Sequence, residues 1–408
     1  MFAGLFDYFL RDGHLMSMAG IVVILAIAFL FSSHKKHIRP RLVISALLMQ
    51  FILAFFILKT GFGKSLFLTV ADGFTSLYGF ADIGARFVFG SLAEPSGAWG
   101  YVFAIKVIPT IIFFGALMAL LFHLGVVSVI VKGLAFLIRP ILGTSGAETL
   151  SVAANSMLGQ TEAPLLIKNY LPGMTRSEML VVMVGGMSHL TGSLLAVYGG
   201  MGIPIHHLLA STIVAIPGAI LIAKILIPET EVPETAGGQN IEIKSESKNM
   251  LDAISAGTGD GLRLAVNVAA MLIAFISIME LINFALVSTV GISLDQIFGK
   301  LFYVVACLLG IAAEDRTIAA SLLGKKLVIN EFVAYSDFLK STLAPRTREI
   351  MTYALAGFSN FSCIGIQIGG IGAICASKRI MLSELGMKAL LGGTLTNLLT
   401  AAIASLFI

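Results

Sequence analysis

Gly159-Gln160-Thr161-Glu162 is a polar tetrad in a chain that is otherwise close to oil. Of its 408 residues 57% are hydrophobic and 12% charged, and the mean hydropathy is +0.95. A carboxylate flanked by amides at bilayer depth is costly unless something polar uses it. A second string, Ile329-Asn330-Glu331-Phe332, places another carboxylate far downstream. Each lies in a hydrophobic segment interrupted by glycine, the pattern of a binding site built from broken helices.

Apolar stretches near the roughly 20 residues that cross a bilayer core recur along the chain. They are Leu15–Ser33, Leu42–Thr60, Phe103–Leu124, Met179–Met201, Ile205–Ile227, Leu264–Val287, Ile350–Ile371 and Leu385–Ile408. This predicts an all-α polytopic membrane protein with about eight transmembrane helices. Cys307, Cys363 and Cys375 sit in apolar surroundings without metal-ligand spacing. Met1–His14 carries Asp7, Arg11 and Asp12 and no cleavage pattern. The net charge of +4 fits loops facing anionic lipid and no nucleic-acid partner.

The most basic short loop, His34-Lys35-Lys36-His37-Ile38-Arg39-Pro40-Arg41, belongs in the cytoplasm, which puts the N-terminus outside. Lys64–Phe89 reads as an amphipathic helix on the outer interface, and Lys132 and Arg139 flank another short one. Ala147–Tyr170 is too polar for an ordinary span and predicts two half-length helices forming a re-entrant hairpin. Backbone broken at that depth must be buried in protein or line a wet cavity. Pro228–Asn249 is an acidic linker, assigned to the cytoplasm, with Met250–Arg263 as a surface helix after it.

Two stretches repeat an order of features. Gln160-Thr161-Glu162, Thr175-Arg176-Ser177-Glu178 and Gly186-Met187-Ser188-His189-Leu190-Thr191-Gly192 are matched by Asn330-Glu331, Thr347-Arg348-Glu349 and Gly357-Phe358-Ser359-Asn360-Phe361-Ser362. Three spans separate the halves, so the second hairpin enters from the opposite side and the repeat is inverted. The polar, glycine-containing runs at 186–192 and 357–362 predict local unwinding there too.

Gly324-Lys325-Lys326-Leu327-Val328-Ile329-Asn330-Glu331-Phe332-Val333-Ala334-Tyr335 resembles the G-x-K-x-x-x-N-E-F-V-A-Y pattern of the concentrative nucleoside transporters. Gly159–Leu165 and Gly357–Asn360 resemble that family's other binding segments, and the similarity extends over nearly the whole chain. The resemblance implies a homotrimer in the plasma membrane, a bacterial inner membrane, taking up nucleosides such as uridine, cytidine or adenosine with a cation gradient. It divides the chain into a scaffold (1–125, and 229–290 with the acidic linker) and a mobile transport part (126–228 and 291–408).

The chemistry of the residues agrees with such a substrate. Gln160 can donate and accept together, as a base edge requires. Thr161 and Glu162 are placed to reach the same base, directly or through water. Glu331, acceptor-only when ionised, suits paired ribose hydroxyls. Asn330, Asn360 and Cys363 add polar contacts and Phe358 a ring. Other roles are open: Gln160, Thr161 and Asn330 as helix caps, and Glu162 and Glu331 as structural ion pairs with Lys168, Lys325 or Lys326. Lys106 and Glu280 form a further pair of candidates for an interhelical contact.

Three departures from the family pattern stand out. The resemblance implies a sodium position at Asn155 and Leu158, completed by a hydroxyl residue and its neighbour, here His189 and Leu190. Hard cations prefer oxygen to imidazole, so the coupling ion is proton or sodium. With the proton, uptake should rise as pH falls through about 6.5. Cys363 replaces a serine common in the family, and Ala312-Ala313 replace a Pro-Trp. No organic cofactor is expected. An intramembrane enzyme using Glu162 and Glu331 as an acid/base pair is the competing class, but no nucleophile, metal cluster or phosphate loop accompanies them. A channel suits two opposed hairpins less well than a gated site.

Overall fold

The computed structural model describes residues 13–94, 102–236 and 247–408, and no strand occurs among them. The charged segment through Asp12 and the middle of the acidic linker lie outside the described residues. The first helices are α1 (His14–Leu30), α2 (Pro40–Lys59), α3 (Gly61–Phe89), α4 (Phe103–His123) and α5 (Val126–Leu142). Pro40 opens α2 at the one turn where its missing N–H is harmless. Thr60 caps α3, accepting from Gly63 N at 3.0 Å. Helix α3 is the amphipathic helix expected over Lys64–Phe89. Its buried residues are small (Gly63, Ala71, Ala81, Ala85), while Phe62, Phe80 and Phe87 face outward.

Lys106 of α4 reaches Asp82 of α3 at 2.8 Å, which corrects the pairing with Glu280 expected from sequence. Burial pushes the Asp82 carboxyl up, but the Lys106 and Arg86 charges outweigh it and hold it below its ordinary value. The pair therefore stabilises the fold above the usual carboxylate range, and its contribution is lost as pH falls through the depressed value. Asp82→Asn is expected to cost about 1–3 kcal/mol by leaving Lys106 under-paired. Thermal unfolding in detergent near neutral pH, where the wild-type carboxylate is charged, would expose the idea as wrong if the transition did not move.

The interior is built from α6 (Gly146–Asn155), α7 (Arg176–Ser188), α8 (Gly192–Met201) and α9 (Ile205–Leu226). Ser145 and Thr175 open α6 and α7 with reciprocal capping boxes to Glu148 and Glu178. The linker's first residues fold back over these helix starts: Thr235 O and Oγ1 accept from Gly146 N and Ala147 N, and Thr175 Oγ1 donates to Glu229. Lys224 joins them, 2.7 Å from Glu148 and 3.2 Å from Glu229.

Between α6 and α7 the expected second half-helix is absent. The chain makes two 3₁₀ turns, Ala163–Ile167 and Leu171–Gly173, each with a proline in its first turn, and Pro172 could not sit in the interior of an α-helix continued from Ala163.

The second half runs through α10 (Met250–Val290), α11 (Leu294–Leu301), α12 (Tyr303–Leu308), α13 (Arg316–Val328), α14 (Glu331–Lys340), α15 (Pro345–Leu355), α16 (Phe361–Ile374) and α17 (Arg379–Ser405). Helix α10 is one unbroken 41-residue element, so the expected surface helix and sixth span are a single rod. Its Gly257 and Gly261 seat against α4: a Cβ on Gly257 would lie 2.5 Å from Gly115 O, and one on Gly261 2.9 Å from Ile111 O. Small residues that let two backbones close in this way hold membrane helices together.

Among the described residues six helical stretches are long and apolar enough to cross a membrane, with α1 and α16 as shorter apolar helices. The eight apolar stretches of the sequence are thereby accounted for, the seventh as α15 and α16 with a break between them. Helix α17 packs against α7, α9, α15 and α16 at the centre of the fold.

Both predicted unwound runs are breaks, at 189–191 between α7 and α8 and at 356–360 between α15 and α16. They touch. Gly357 has φ +96°, and a Cβ there would lie 2.7 Å from Ser188 O, so only glycine satisfies both backbone and space. Asn397 of α17 ties the breaks together. Its Nδ2 donates to Ser188 O (2.8 Å) and its Oδ1 accepts from Ser359 Oγ and Lys326 Nζ (both 2.9 Å).

Lys326 also donates to the carbonyls of Ala354 (2.9 Å) and Ala356 (3.0 Å). Lys325 pairs with Asp295 (2.9 Å) and Asp337 (2.7 Å). Neither lysine is the hydrogen-bonded partner of Glu331 or Glu162 that the sequence left open. Lys326→Met should leave the carbonyls of Ala354 and Ala356 without this donor, at about 1–3 kcal/mol each, while Asn397 Oδ1 keeps Ser359. An unchanged unfolding temperature in detergent would show that these bonds hold nothing.

Candidate functional site

The tetrad closes on itself. Glu162 N donates to Gly159 O (3.0 Å), and Gly159 N donates to the Glu162 carboxylate (3.1 Å), so Glu162 fastens its own turn while remaining exposed. Its far side lies on α16. Cys363, Gln367 and Gly370 are spaced to share one face of that helix. Gln160 Nε2 donates to Cys363 Sγ (3.5 Å), and Gln367 Nε2 donates to Gln160 Oε1 (3.2 Å). The Thr161 methyl occupies the space a Cβ on Gly370 would need.

On the other side of the repeat, Asn330 starts α14. Its Oδ1 accepts from Val333 N (2.9 Å), so it caps the helix, the alternative role the sequence allowed. Glu331 follows, 4% exposed, with Oε1 accepting from Tyr198 OH of α8 (2.9 Å) and Oε2 from Asn360 Nδ2 (3.1 Å). Asn360 caps α16, its Oδ1 accepting from Cys363 N (3.1 Å). Gln160, Cys363, Asn360, Glu331 and Tyr198 therefore form one continuous buried polar chain. It draws on both halves of the sequence. Phe358 stands in the break before Asn360, half-buried against the core.

A carboxylate has roughly four acceptor positions. On Glu331 two are taken by Tyr198 and Asn360 and one by its own backbone N–H, which leaves capacity for a further donor such as a sugar hydroxyl.

Two of the residues named for ion coupling, Asn155 and His189, meet at one turn of α7. Asn155 donates from Nδ2 to Ser151 O (2.9 Å), and that nitrogen lies 3.5 Å from where a Cβ on Gly185 would be. Gly185 O in turn lies 2.8 Å from Nδ1 of His189, whose Nε2 is buried without a hydrogen-bond partner among the described residues. Leu158 and Leu190 are buried as well. A carbonyl only accepts, so Nδ1 carries the proton and Nε2 the lone pair.

Two site residues were not singled out from sequence. Tyr198 is hidden in an apolar run, and Gln367 is a lone amide in an otherwise apolar helix. That isolation was the one available signal for Gln367, since an amide at membrane depth needs a partner.

Three family descriptions match in order: "Na+ dependent nucleoside transporter N-terminus" over residues 19–92, "Nucleoside recognition" over 104–204, and "Na+ dependent nucleoside transporter C-terminus" over 207–405. The nucleoside permease NupC of Helicobacter pylori is 38% identical, the match covering 97% of this chain and 98% of that one. Sodium/nucleoside cotransporter 1 of Mus musculus is 36% identical over 97% of this chain and 64% of its own length. Among solved structures, CNTnw in an inward-facing substrate-bound state superposes with a TM-score of 0.93 at 37% identity, covering 97% of this chain and 100% of that one. The chain belongs to the concentrative nucleoside transporter family.

Proposed function

We propose that this protein accumulates nucleosides by alternating access, coupled to the inward movement of a proton. The observation that carries the substrate reading is the buried chain from Gln160 to Glu331. It sets an amide for a base at one end and a carboxylate with spare acceptor capacity for a ribose at the other. Gln160, Thr161 and Glu162 serve the base, and Glu331, Asn360 and Cys363 the sugar, with Phe358 against the ring system and Asn330 holding Glu331 in place. The parts over 126–228 and 291–408 move together against the scaffold of 1–125 and 229–290, in a homotrimer of the bacterial inner membrane.

His189 supports the proton. Its Nε2 is a lone-pair acceptor at the turn where Asn155 also sits, and an imidazole is a poor ligand for sodium. Sodium is the second reading, favoured by Asn155 and by the ion in the family's description. The test is radiolabelled uridine, cytidine and adenosine uptake into proteoliposomes under separately imposed proton and sodium gradients. Saturable accumulation is expected. Absence of accumulation for any nucleoside under either gradient would overturn the substrate reading.

A further inference from the structure

The hydrogen bonds around Gln367 have a direction, and it starts from a group that cannot be reversed. The main-chain carbonyl of Met183 on α7 can only accept, so the amide of Gln367 must turn its Nε2 toward it, 2.9 Å away. That nitrogen has two hydrogens, and the second points to Gln160, 3.2 Å away. Gln160 must therefore offer its Oε1 on this side. Its own Nε2 is left on the other side, against Cys363 Sγ at 3.5 Å, a weak acceptor that leaves one N–H over.

Gly186 makes the arrangement sterically available. A Cβ there would lie 2.5 Å from Gln367 Nε2 and 2.9 Å from Gln160 Cβ. Gln367 is fully buried, so water does not compete for its hydrogens.

We propose that Gln367 is a specificity-determining positioning residue: its amide, set by the Met183 carbonyl, locks Gln160 with the nitrogen toward the substrate and favours nucleosides whose base edge offers an acceptor there. Uridine and inosine present an oxo group where cytidine and adenosine present an amino group, so the oxo bases are preferred. The inference rests on the nucleoside reading above and adds the polarity of the base contact.

The test compares wild type, Gln367→Met and Gln160→Glu in proteoliposomes, using competing labelled uridine and cytidine. Wild type is expected to favour uridine. Gln367→Met keeps the length but lets the Gln160 amide turn, and should bring the uridine-to-cytidine ratio down by about tenfold, the worth of one good hydrogen bond. The ratio of uridine to 2′-deoxyuridine should stay put, because the sugar is held at Glu331. Gln160→Glu replaces the donor by an acceptor and should turn the preference toward cytidine.

Equal loss for uridine and cytidine in Gln367→Met would make Gln367 a plain brace and overturn the proposal, as would a wild type that prefers cytidine. If Gln367→Met does not fold, the absence of a reversal in Gln160→Glu is itself decisive against it. A wild type that accumulates no nucleoside fails differently, because the substrate reading then falls first.

Discussion

Glu331→Gln is expected to abolish nearly all nucleoside uptake while leaving the protein folded. The carboxylate accepts from Tyr198 and Asn360 and, on the proposed reading, from the ribose hydroxyls. Charge-assisted bonds to those hydroxyls contribute about 1.5–3 kcal/mol, about ten- to hundredfold in affinity. The amide keeps the shape but brings a donor where Tyr198, Asn360 and the sugar all donate, so one of the three must turn away. Substrates without the ribose hydroxyls should lose less than ribonucleosides. Near-normal uridine uptake by a folded Glu331→Gln protein would remove Glu331 from the site.

An imposed proton gradient should drive uptake in the wild type, and a sodium gradient alone should not. One pH unit of gradient is worth about 1.4 kcal/mol, about tenfold accumulation at one proton per nucleoside. Burying the resulting imidazolium is costly, so the proton should enter with the substrate rather than reside there at rest. His189→Ser restores an oxygen beside Asn155 and should exchange proton-driven for sodium-driven uptake. Wild-type accumulation that requires sodium and ignores the proton gradient would leave His189 as packing.

Much of this organisation was legible in the chain. The apolar stretches marked the spans, and Gly186–Gly192 and Gly357–Ser362 announced breaks that the structure contains. The motif around Asn330-Glu331 placed one end of the polar chain. What escaped depended on partners distant in sequence. Met250–Arg263 read as a separate surface helix, yet it runs on into the sixth span, and its Gly257 and Gly261 are where α10 meets α4. Tyr198 and Gln367 carry no local pattern, and their roles exist only once α8 and α16 are brought to Glu331 and Gln160. The 3₁₀ turns after Glu162 fall where the polar, interrupted stretch Ala147–Tyr170 suggests a second half-helix.

Asn397 spends its whole side chain on two helix breaks that belong to different halves of the molecule. A displacement of either break by more than a fraction of a hydrogen-bond length must release Ser188, Ser359 or Lys326. The breaks are therefore thermodynamically coupled: substitutions at Lys326 and Asn397 should be strongly non-additive in a double-mutant cycle, where sites that move independently would simply sum. Any movement that keeps these bonds must carry both breaks as one unit.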